Sequence, residues 1–256
     1  MVSNAIAARL ARSNIHYGWV MLGVTFFTML TTACALGAPG VLMPALEKEF
    51  HWTAAEISGA LAVRLLLFGV IAPFAASLMI RYGIRRVVSV ALAFIASGLV
   101  ASLFVTSVWQ LMLFWGIMVG CGAGMTAIVL GATVASRWFT EKRGLVIGIL
   151  TASSATGQLA FLPLIAQMSE SAGWRAALVL VCGLLGVALA LVLLLARERP
   201  ADLGLPPYGE RAGTVAAAPV MARPLEILRD AAKTRTFWIL FGTFFVCGAS
   251  TNGLIQ

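Results

Sequence analysis

Long apolar runs alternate with short polar segments along most of the chain. A helix that crosses the hydrocarbon core of a bilayer needs about 20 predominantly apolar residues. The pattern predicts such spans at about 18–37, 54–80, 87–106, 110–135, 144–168 and 175–196, and a seventh that begins near Phe237 and is still apolar at Gln256. The chain is therefore predicted to be an all-α membrane protein.

A single long polar stretch separates the sixth and seventh spans. Residues 197–235 contain Pro200, Pro206, Pro207 and Pro224, which favour a linker. At its end, Leu225, Leu228 and Ala232 share one face of a predicted short amphipathic helix on the membrane surface. The predicted parts are a six-helix bundle over 1–196, a cytoplasmic linker over 197–235 and the start of helix seven over 236–256.

Composition supports a membrane protein. The 256 residues are 61% hydrophobic and only 11% charged, with a mean hydropathy of +0.96. Soluble domains carry about 25% charged residues. The net charge of +8 does not indicate nucleic-acid binding, because the basic residues fall in the short gaps between apolar runs rather than on one soluble face. We expect the lipid bilayer, and no nucleic acid, as a partner.

The basic residues also predict the orientation. Fifteen of the 18 lysines and arginines fall in one alternating set of loops: Arg9, Arg12, Arg81, Arg85, Arg86, Arg137, Lys142, Arg143, Arg197, Arg199, Arg211, Arg223, Arg229, Lys233 and Arg235. Lys48 and Arg175 fall in the other set, and Arg64 lies inside a span. Since cytoplasmic loops carry the excess of Lys and Arg, the pattern predicts a multi-pass protein of the cell membrane with a cytoplasmic amino terminus.

Arg64 is the principal candidate site residue. It lies near the middle of the second span, where a charge costs about 2.5–3.5 kcal/mol on insertion scales and usually faces protein or water. A guanidinium there can pair with a carboxylate or another small anion in a central cavity. The alternative is a structural pair with an acid or a carbonyl on another helix.

Five further residues are candidates for contact with a substrate. Thr28 in the first span and Gln158 in the fifth can hydrogen-bond a ligand or, alternatively, a neighbouring helix. Met118, Cys121 and Met125 in the fourth span lie at the depth of a central cavity, with simple packing as the alternative.

Two local patterns predict how helices begin and pack. Thr53 followed by Glu56 is a capping-box pattern at the start of the second span. Gly116, Gly120 and Gly124 are four residues apart in the fourth span and stack on one face, which allows another helix to approach closely.

No catalytic arrangement is recognisable. No span contains an Asp or Glu at depth, and neither a Ser/His/Asp set nor a metal-ligand spacing occurs. The four cysteines lie inside apolar runs without CxxC spacing, which favours buried apolar packing. We therefore predict that the protein is not an enzyme and has no metal site and no cofactor.

The chain resembles the amino-terminal half of a major facilitator superfamily transporter in its order of six spans, a long cytoplasmic linker and a further span. That family carries G-x-x-x-D-R-x-G-R-R after its second span, and this chain keeps Arg81, Gly83, Arg85 and, one place late, Arg86. It departs from the pattern at Ala76 and at Ile80, which stands where the family has an acid that helps to latch the cytoplasmic gate.

A narrower resemblance is to the monocarboxylate and oxalate–formate transporter group. The stretch Tyr17-Gly18-Trp19-Val20 resembles the start of that group's first span, although Asn14 stands where an acid is expected. Residues 138–148 resemble its second motif, in which an aromatic pair precedes basic residues, here Lys142 and Arg143, and a small-residue helix start.

The resemblance implies a secondary active transporter, whether uniporter, symporter or antiporter, that moves a small organic anion such as a monocarboxylate by alternating access. It also implies about twelve spans, so a carboxyl-terminal half of the same protein is expected as a partner. Two alternatives stay open. In the first, the protein transports an uncharged solute and Arg64 is structural. In the second, the chain is a membrane receptor or structural half that transports nothing.

Overall fold

A computed structural model describes residues 16–210, 229–230 and 232–248 of the chain. Arg9 and Arg12, Leu225 and Leu228 of the predicted amphipathic helix, and residues 249–256 of the predicted seventh span lie outside these described residues. By packing, the chain divides into two units, Met1–Ala217 and Ala218–Gln256.

The described part of the chain contains six helices long and apolar enough to cross a membrane. They are α1 (Gly18–Phe50), α2 (Ala54–Tyr82), α3 (Ile84–Ser102), α4 (Val108–Trp138), α5 (Arg143–Ala172) and α6 (Trp174–Leu195). In the second unit, α7 (Arg235–Gly248) begins close to where the sequence predicted a seventh span. The prediction of an all-α membrane fold is confirmed.

Helix α1 is longer than the sequence predicted. Its Pro39 and Pro44 suggested a link after Gly37, but the helix continues to Phe50 and ends at His51 in a left-handed conformation with φ 56°. A membrane helix tolerates proline because neighbouring helices re-satisfy the freed backbone groups. Neighbours are close here, since Gly37 on α1 packs against Leu162 of α5.

Helix α2 begins as predicted. The Glu56 carboxylate accepts a hydrogen bond from the backbone N–H of Thr53 at 2.8 Å, and the Thr53 hydroxyl accepts one from the backbone N–H of Glu56 at 3.3 Å. The two bonds form a capping box, which satisfies N–H groups that have no partner within the helix.

Helix α4 is irregular, and its glycines bring it close to α2. It is π-helical over Met112–Val119 and interrupted at Ala127. A Cβ atom added to Gly116, Gly120 or Gly124 would lie 3.0–3.3 Å from backbone atoms of α2. The predicted glycine face is therefore the surface on which α2 and α4 meet.

The other side of α4 packs equally closely on α3. A Cβ atom added to Gly122 would lie 2.6 Å from the carbonyl oxygen of Ala91, and one added to Gly98 of α3 would lie 2.8 Å from that of Phe114. Between the helices lies a core whose largest fully buried side chains include Trp115, Trp138 and Tyr17.

Ion pairs and hydrogen bonds tie helix ends together at both ends of the bundle. We call the end that holds residues 81–86 and 137–143 the basic end. At the opposite end, Arg175 lies 2.7 Å from the Glu49 carboxylate, which also accepts a hydrogen bond from the indole N–H of Trp174. This contact joins the end of α1 to the start of α6.

The close contact of α3 and α4 predicts a packing defect in Gly122→Ala. The new methyl group would lie 2.6 Å from both the carbonyl oxygen of Ala91 and the side chain of Ile95, and because the backbone oxygen cannot turn away, the helices must separate. We expect the free energy of unfolding to fall by about 1–3 kcal/mol, measured as a lower thermal midpoint in detergent.

Gly186→Ala on α6 is the matched control, because nothing lies within 4 Å of the added methyl group. Its effect is expected to stay within about 0.5 kcal/mol. Equal midpoints for the two variants would contradict the described packing of α3 on α4.

Candidate functional site

The guanidinium of Arg64 lies inside the bundle. The residue is 4% exposed, and its backbone on α2 lies against Gly120 of α4. Its Nη1 donates a hydrogen bond of 2.7 Å to the carbonyl oxygen of Leu36 on α1. Its Nε is buried and has no hydrogen-bond partner among the described residues. The side chain therefore bridges α2 and α1 with most of its donors unused.

Leu36 precedes the proline-containing part of α1. Pro39 has no N–H to donate to the carbonyl of Ala35, four residues earlier, and its ring crowds that carbonyl. The helix is therefore weakened one residue before Leu36, and a carbonyl oxygen has a second lone pair for an outside donor. The carbonyl that Pro39 leaves without its helical donor is that of Ala35, and the carbonyl of Leu36 accepts from Arg64 through its second lone pair.

No carboxylate pairs with Arg64 within the described residues. Glu198, Glu49 and Asp230 form ion pairs with Arg137, Arg175 and Lys233 respectively. A guanidinium has five N–H donors, and here one of them is used. The structure thus supplies the carbonyl contact expected of a structural arginine, and no carboxylate of the described residues neutralises this cation.

Thr28 is placed away from Arg64. It is fully buried and donates a hydrogen bond of 2.8 Å to the carbonyl of Val24 in its own helix. It lines a cavity of about 10 Å³ between α1, α3, α4 and α6, which is no larger than one water molecule needs. Eight residues separate it from Leu36, about 12 Å along a helix at 1.5 Å per residue.

The remaining predicted contact residues do not form one cluster around the guanidinium. The Cβ of Met118 lies against Gly98 on α3, whereas Cys121 follows Gly120, the residue that touches the backbone of Arg64. Cys121 and Met125 are half-buried. Gln158 on α5 is exposed and has no hydrogen bond among the described residues. Of this set, Cys121 lies nearest in sequence to a contact of Arg64.

The predicted motif residues at the basic end make specific contacts. Gly83 joins α2 to α3 with φ +90°, a conformation that favours glycine. The side chain of Arg85 donates to the carbonyl of Leu193 at the end of α6. Arg81 lies over the ring of Tyr82, with 5.3 Å from its guanidinium carbon to the ring centroid, and Arg86 is exposed.

The second motif, over 138–148, covers the turn between α4 and α5 and the first residues of α5. Arg143 donates hydrogen bonds to the carbonyls of Phe139 and Ser136. Lys142 precedes α5 with φ 58° and lies 5.9 Å from the ring centroid of Tyr208. The turn is therefore held partly by its own arginine and partly by a residue of the predicted linker.

Sequence reasoning did not identify Glu198. Its carboxylate accepts hydrogen bonds from the backbone N–H groups of Ile84 and Arg85, the first two residues of α3, and lies 3.9 Å from Arg137. The available signal was an acid between two arginines directly after the sixth span, at 197–199.

The chain belongs to the major facilitator superfamily, whose family model matches residues 25–256. The fold, with six apolar helices and a seventh after a linker, agrees with this membership in a superfamily of membrane transporters.

The chain is similar to Monocarboxylate transporter 11 of Mus musculus, with 30% identity over 165 residues, 64% of this chain and 36% of the relative. It is 28% identical to Monocarboxylate transporter 11 of Homo sapiens over 218 residues, 78% of this chain and 45% of the relative. The yeast protein named Uncharacterized transporter ESBP6 is 28% identical over 148 residues, 57% of this chain and 22% of the relative. The chain spans less than half the length of these relatives.

The uncompensated charge predicts that Arg64→Met keeps or raises stability. Replacing a buried ion pair with apolar residues of similar volume is often neutral or stabilising by about 1–4 kcal/mol, and a charge without an ionic partner has no such attraction to lose. We expect the thermal midpoint in detergent to stay the same or rise.

Arg175→Met is the comparison, because Arg175 has a carboxylate partner in Glu49 and its removal is expected to lower the midpoint. If Arg64 instead neutralises an acid, removing it leaves that acid buried and unpaired, which costs about 3–5 kcal/mol. A fall of that size in Arg64→Met would contradict the prediction.

Proposed function

We propose that the protein containing this chain is a secondary active transporter of a small organic anion such as a monocarboxylate. It is a uniporter, symporter or antiporter that works by alternating access across the cell membrane. The superfamily membership and the similarity to proteins named monocarboxylate transporters support this proposal. The proposal that the substrate is an anion rests on Arg64.

The observation that carries the proposal is the isolation of the Arg64 charge. The guanidinium is buried on an apolar span, and one carbonyl oxygen is its hydrogen-bond partner among the described residues. An ion moved out of water retains a penalty of several kcal/mol unless a charge and further hydrogen bonds offset it. A substrate carboxylate offsets this penalty and can accept two N–H bonds from the planar fork.

This arrangement links binding to the transport cycle. In transporters of this type, the substrate site lies near the middle of the membrane between two halves that rock against each other. A small anion with a single negative charge neutralises Arg64 and lowers the cost of closing the site away from water. We propose that a second half completes the site, with Cys121 and Met125 contributing contacts on the α4 side and Gln158 on the α5 side.

An uncharged solute is the second candidate, and one contact favours it. The bond from Arg64 to the carbonyl of Leu36 joins α2 to α1, as a purely structural arginine would. In that case, Arg64 braces two helices, and the substrate is recognised by hydrogen bonds alone.

Uptake measurements on the full-length protein separate these two candidates. We expect Arg64→Ala and Arg64→Met to lower the apparent affinity for a carboxylate about 10- to 100-fold, since hydrogen bonds to charged groups contribute about 1.5–3 kcal/mol. Arg64→Lys keeps the charge but loses the planar fork, so an intermediate loss is expected. The corresponding amide should not compete with the carboxylate.

Lys48→Met is the matched control, because it removes one positive charge from an exposed position at the opposite end of the bundle. Its uptake should equal that of the parent. Equal competition by amide and carboxylate, with uptake unchanged in Arg64→Met, would favour the uncharged solute.

We further propose that the amino terminus and the basic end face the cytoplasm, because basic loops are retained there. Single cysteines at two exposed positions test this orientation in a background where the native cysteines are replaced. Lys48→Cys should react with a membrane-impermeant maleimide in intact cells. Glu141→Cys should react after the cells are permeabilised; the reverse pattern would overturn the orientation.

A further inference from the structure

The first part of the predicted linker is folded onto the basic end of the bundle. We call residues 197–210 the clasp. Its 3₁₀ turn, Pro200–Leu203, is followed by Leu205, whose backbone N–H donates to the carbonyl of Pro200 at 3.1 Å. Pro200 is buried, and Leu203 and Leu205 pack against the core. Composition alone assigned this segment to a polar linker, but it has its own apolar contacts.

The first anchor of the clasp is Glu198 at the start of α3. The N-terminal N–H groups of a helix have no partner within the helix and carry a partial positive charge. Gly83 precedes this helix and has no side chain to cap it, so the carboxylate of Glu198 accepts the N–H groups of Ile84 and Arg85 instead. A Cβ atom on Gly83 would lie 2.5 Å from that carboxylate, so the turn has no room for one.

Two arginines complete the first anchor. Arg137, at the end of α4, lies 3.9 Å from the Glu198 carboxylate and donates to the carbonyl of Met79 near the end of α2 at 3.2 Å. Arg85 of α3 donates in turn to Leu193 near the end of α6. The ends of α3 and α4 therefore contact this carboxylate directly, and Arg137 and Arg85 connect it to the ends of α2 and α6.

The second anchor is Tyr208 at the turn between α4 and α5. Its backbone N–H donates to the carbonyl of Trp138 at 2.9 Å, and its carbonyl accepts the backbone N–H groups of Thr140 and Glu141 at 2.9 and 3.2 Å. Its ring packs on Phe139 and Trp19 at centroid distances of 5.9 Å. Gly209 follows with φ +90°, and a Cβ atom there would clash with Glu141.

Residues at the start of α1 also contact the clasp and the end of α6. The Nε2 of His16 is 2.9 Å from the carbonyl of Pro206, and its Nδ1 accepts the backbone N–H of Gly18 at 3.0 Å. These two bonds fit a neutral imidazole with the proton on Nε2. The hydroxyl of Tyr17 donates to Leu195 at 2.8 Å, and burial raises the pKa of this hydroxyl against the opposing effect of Arg197.

We propose that the clasp is a cooperative part of the bundle that holds the turn at 83–86 and the turn at 138–143 in a fixed relation. Glu198 and Tyr208 act as positioning residues for the basic side chains of both turns. This inference does not depend on what the protein transports. One segment spans both anchors, so loosening either one exposes the residues between them.

The test measures how often the clasp opens. Leu205→Cys places a thiol between the two anchors, at a half-buried position, in the full-length protein with its native cysteines replaced. A water-soluble maleimide reacts with this thiol in the open form, so the labelling rate follows the open population when opening is fast. Glu198→Gln and Tyr208→Ala are each expected to raise the rate about 5- to 30-fold, the change that a weakened local equilibrium gives.

Each variant has a matched control. Glu210→Gln removes a carboxylate from the end of the same segment, where its side chain makes no ion pair within the described residues. Tyr208→Phe keeps the ring and the backbone bonds. Both controls should label within about twofold of the parent.

The decisive measurement is the labelling rate of the thiol at residue 205 when either anchor is weakened. If Tyr208→Ala or Glu198→Gln leaves the labelling rate of residue 205 unchanged, the clasp is not one unit and the proposal fails. A Glu210→Gln rate equal to that of Glu198→Gln would also overturn it. Should a variant not fold, Arg137→Gln tests the first anchor and Gly209→Ala the second, with the same expected direction.

Discussion

The close approach of α2 and α4 determines where the buried guanidinium of Arg64 lies. Gly120 has no side chain, and a Cβ atom there would lie 3.0 Å from the carbonyl oxygen of Arg64 and 3.1 Å from its Cα. A larger residue would push the helices apart and open the bundle around the guanidinium. Because membrane helices gain little from burying apolar surface against each other, close packing over small residues supplies much of what holds them together. The glycine face therefore positions the arginine as well as the helix.

Local sequence signals predicted the elements that depend on neighbouring residues. The capping box at Thr53 and the glycine face of α4 were both readable, because each depends on spacing within one helix. The end of α1 was not, because Pro39 and Pro44 are compatible with either a break or a kink, and the packing of Leu162 against Gly37 was not visible. Where local signals allow either outcome, as at Pro39 and Pro44, tertiary contacts determine whether the helix continues.

The candidate site was predictable in one respect only. Apolar context alone indicated that Arg64 is buried, and the structure places it at 4% exposure. The side-chain direction of Thr28 was not predictable, since the phase of α1 relative to its neighbours sets it. Glu198 was missed for a related reason, because the N–H groups it caps lie 113 and 114 residues earlier in the chain. A contact between residues so far apart in the chain produces no periodic pattern in a single sequence.

The two charged regions of the bundle differ in how their charges are satisfied, and this difference bears on function. At the basic end, Glu198 is matched by backbone N–H groups and by Arg137, so the contacts are complete within the described residues. At depth, Arg64 donates to one carbonyl oxygen, and its buried Nε has no partner in the part of the chain that the structure describes. A single hydrogen bond to a charged group contributes about 1.5–3 kcal/mol, less than the several kcal/mol that burial of an ion costs. The carbonyl of Leu36 orients the guanidinium without neutralising it, which is the condition that the proposed anion site requires.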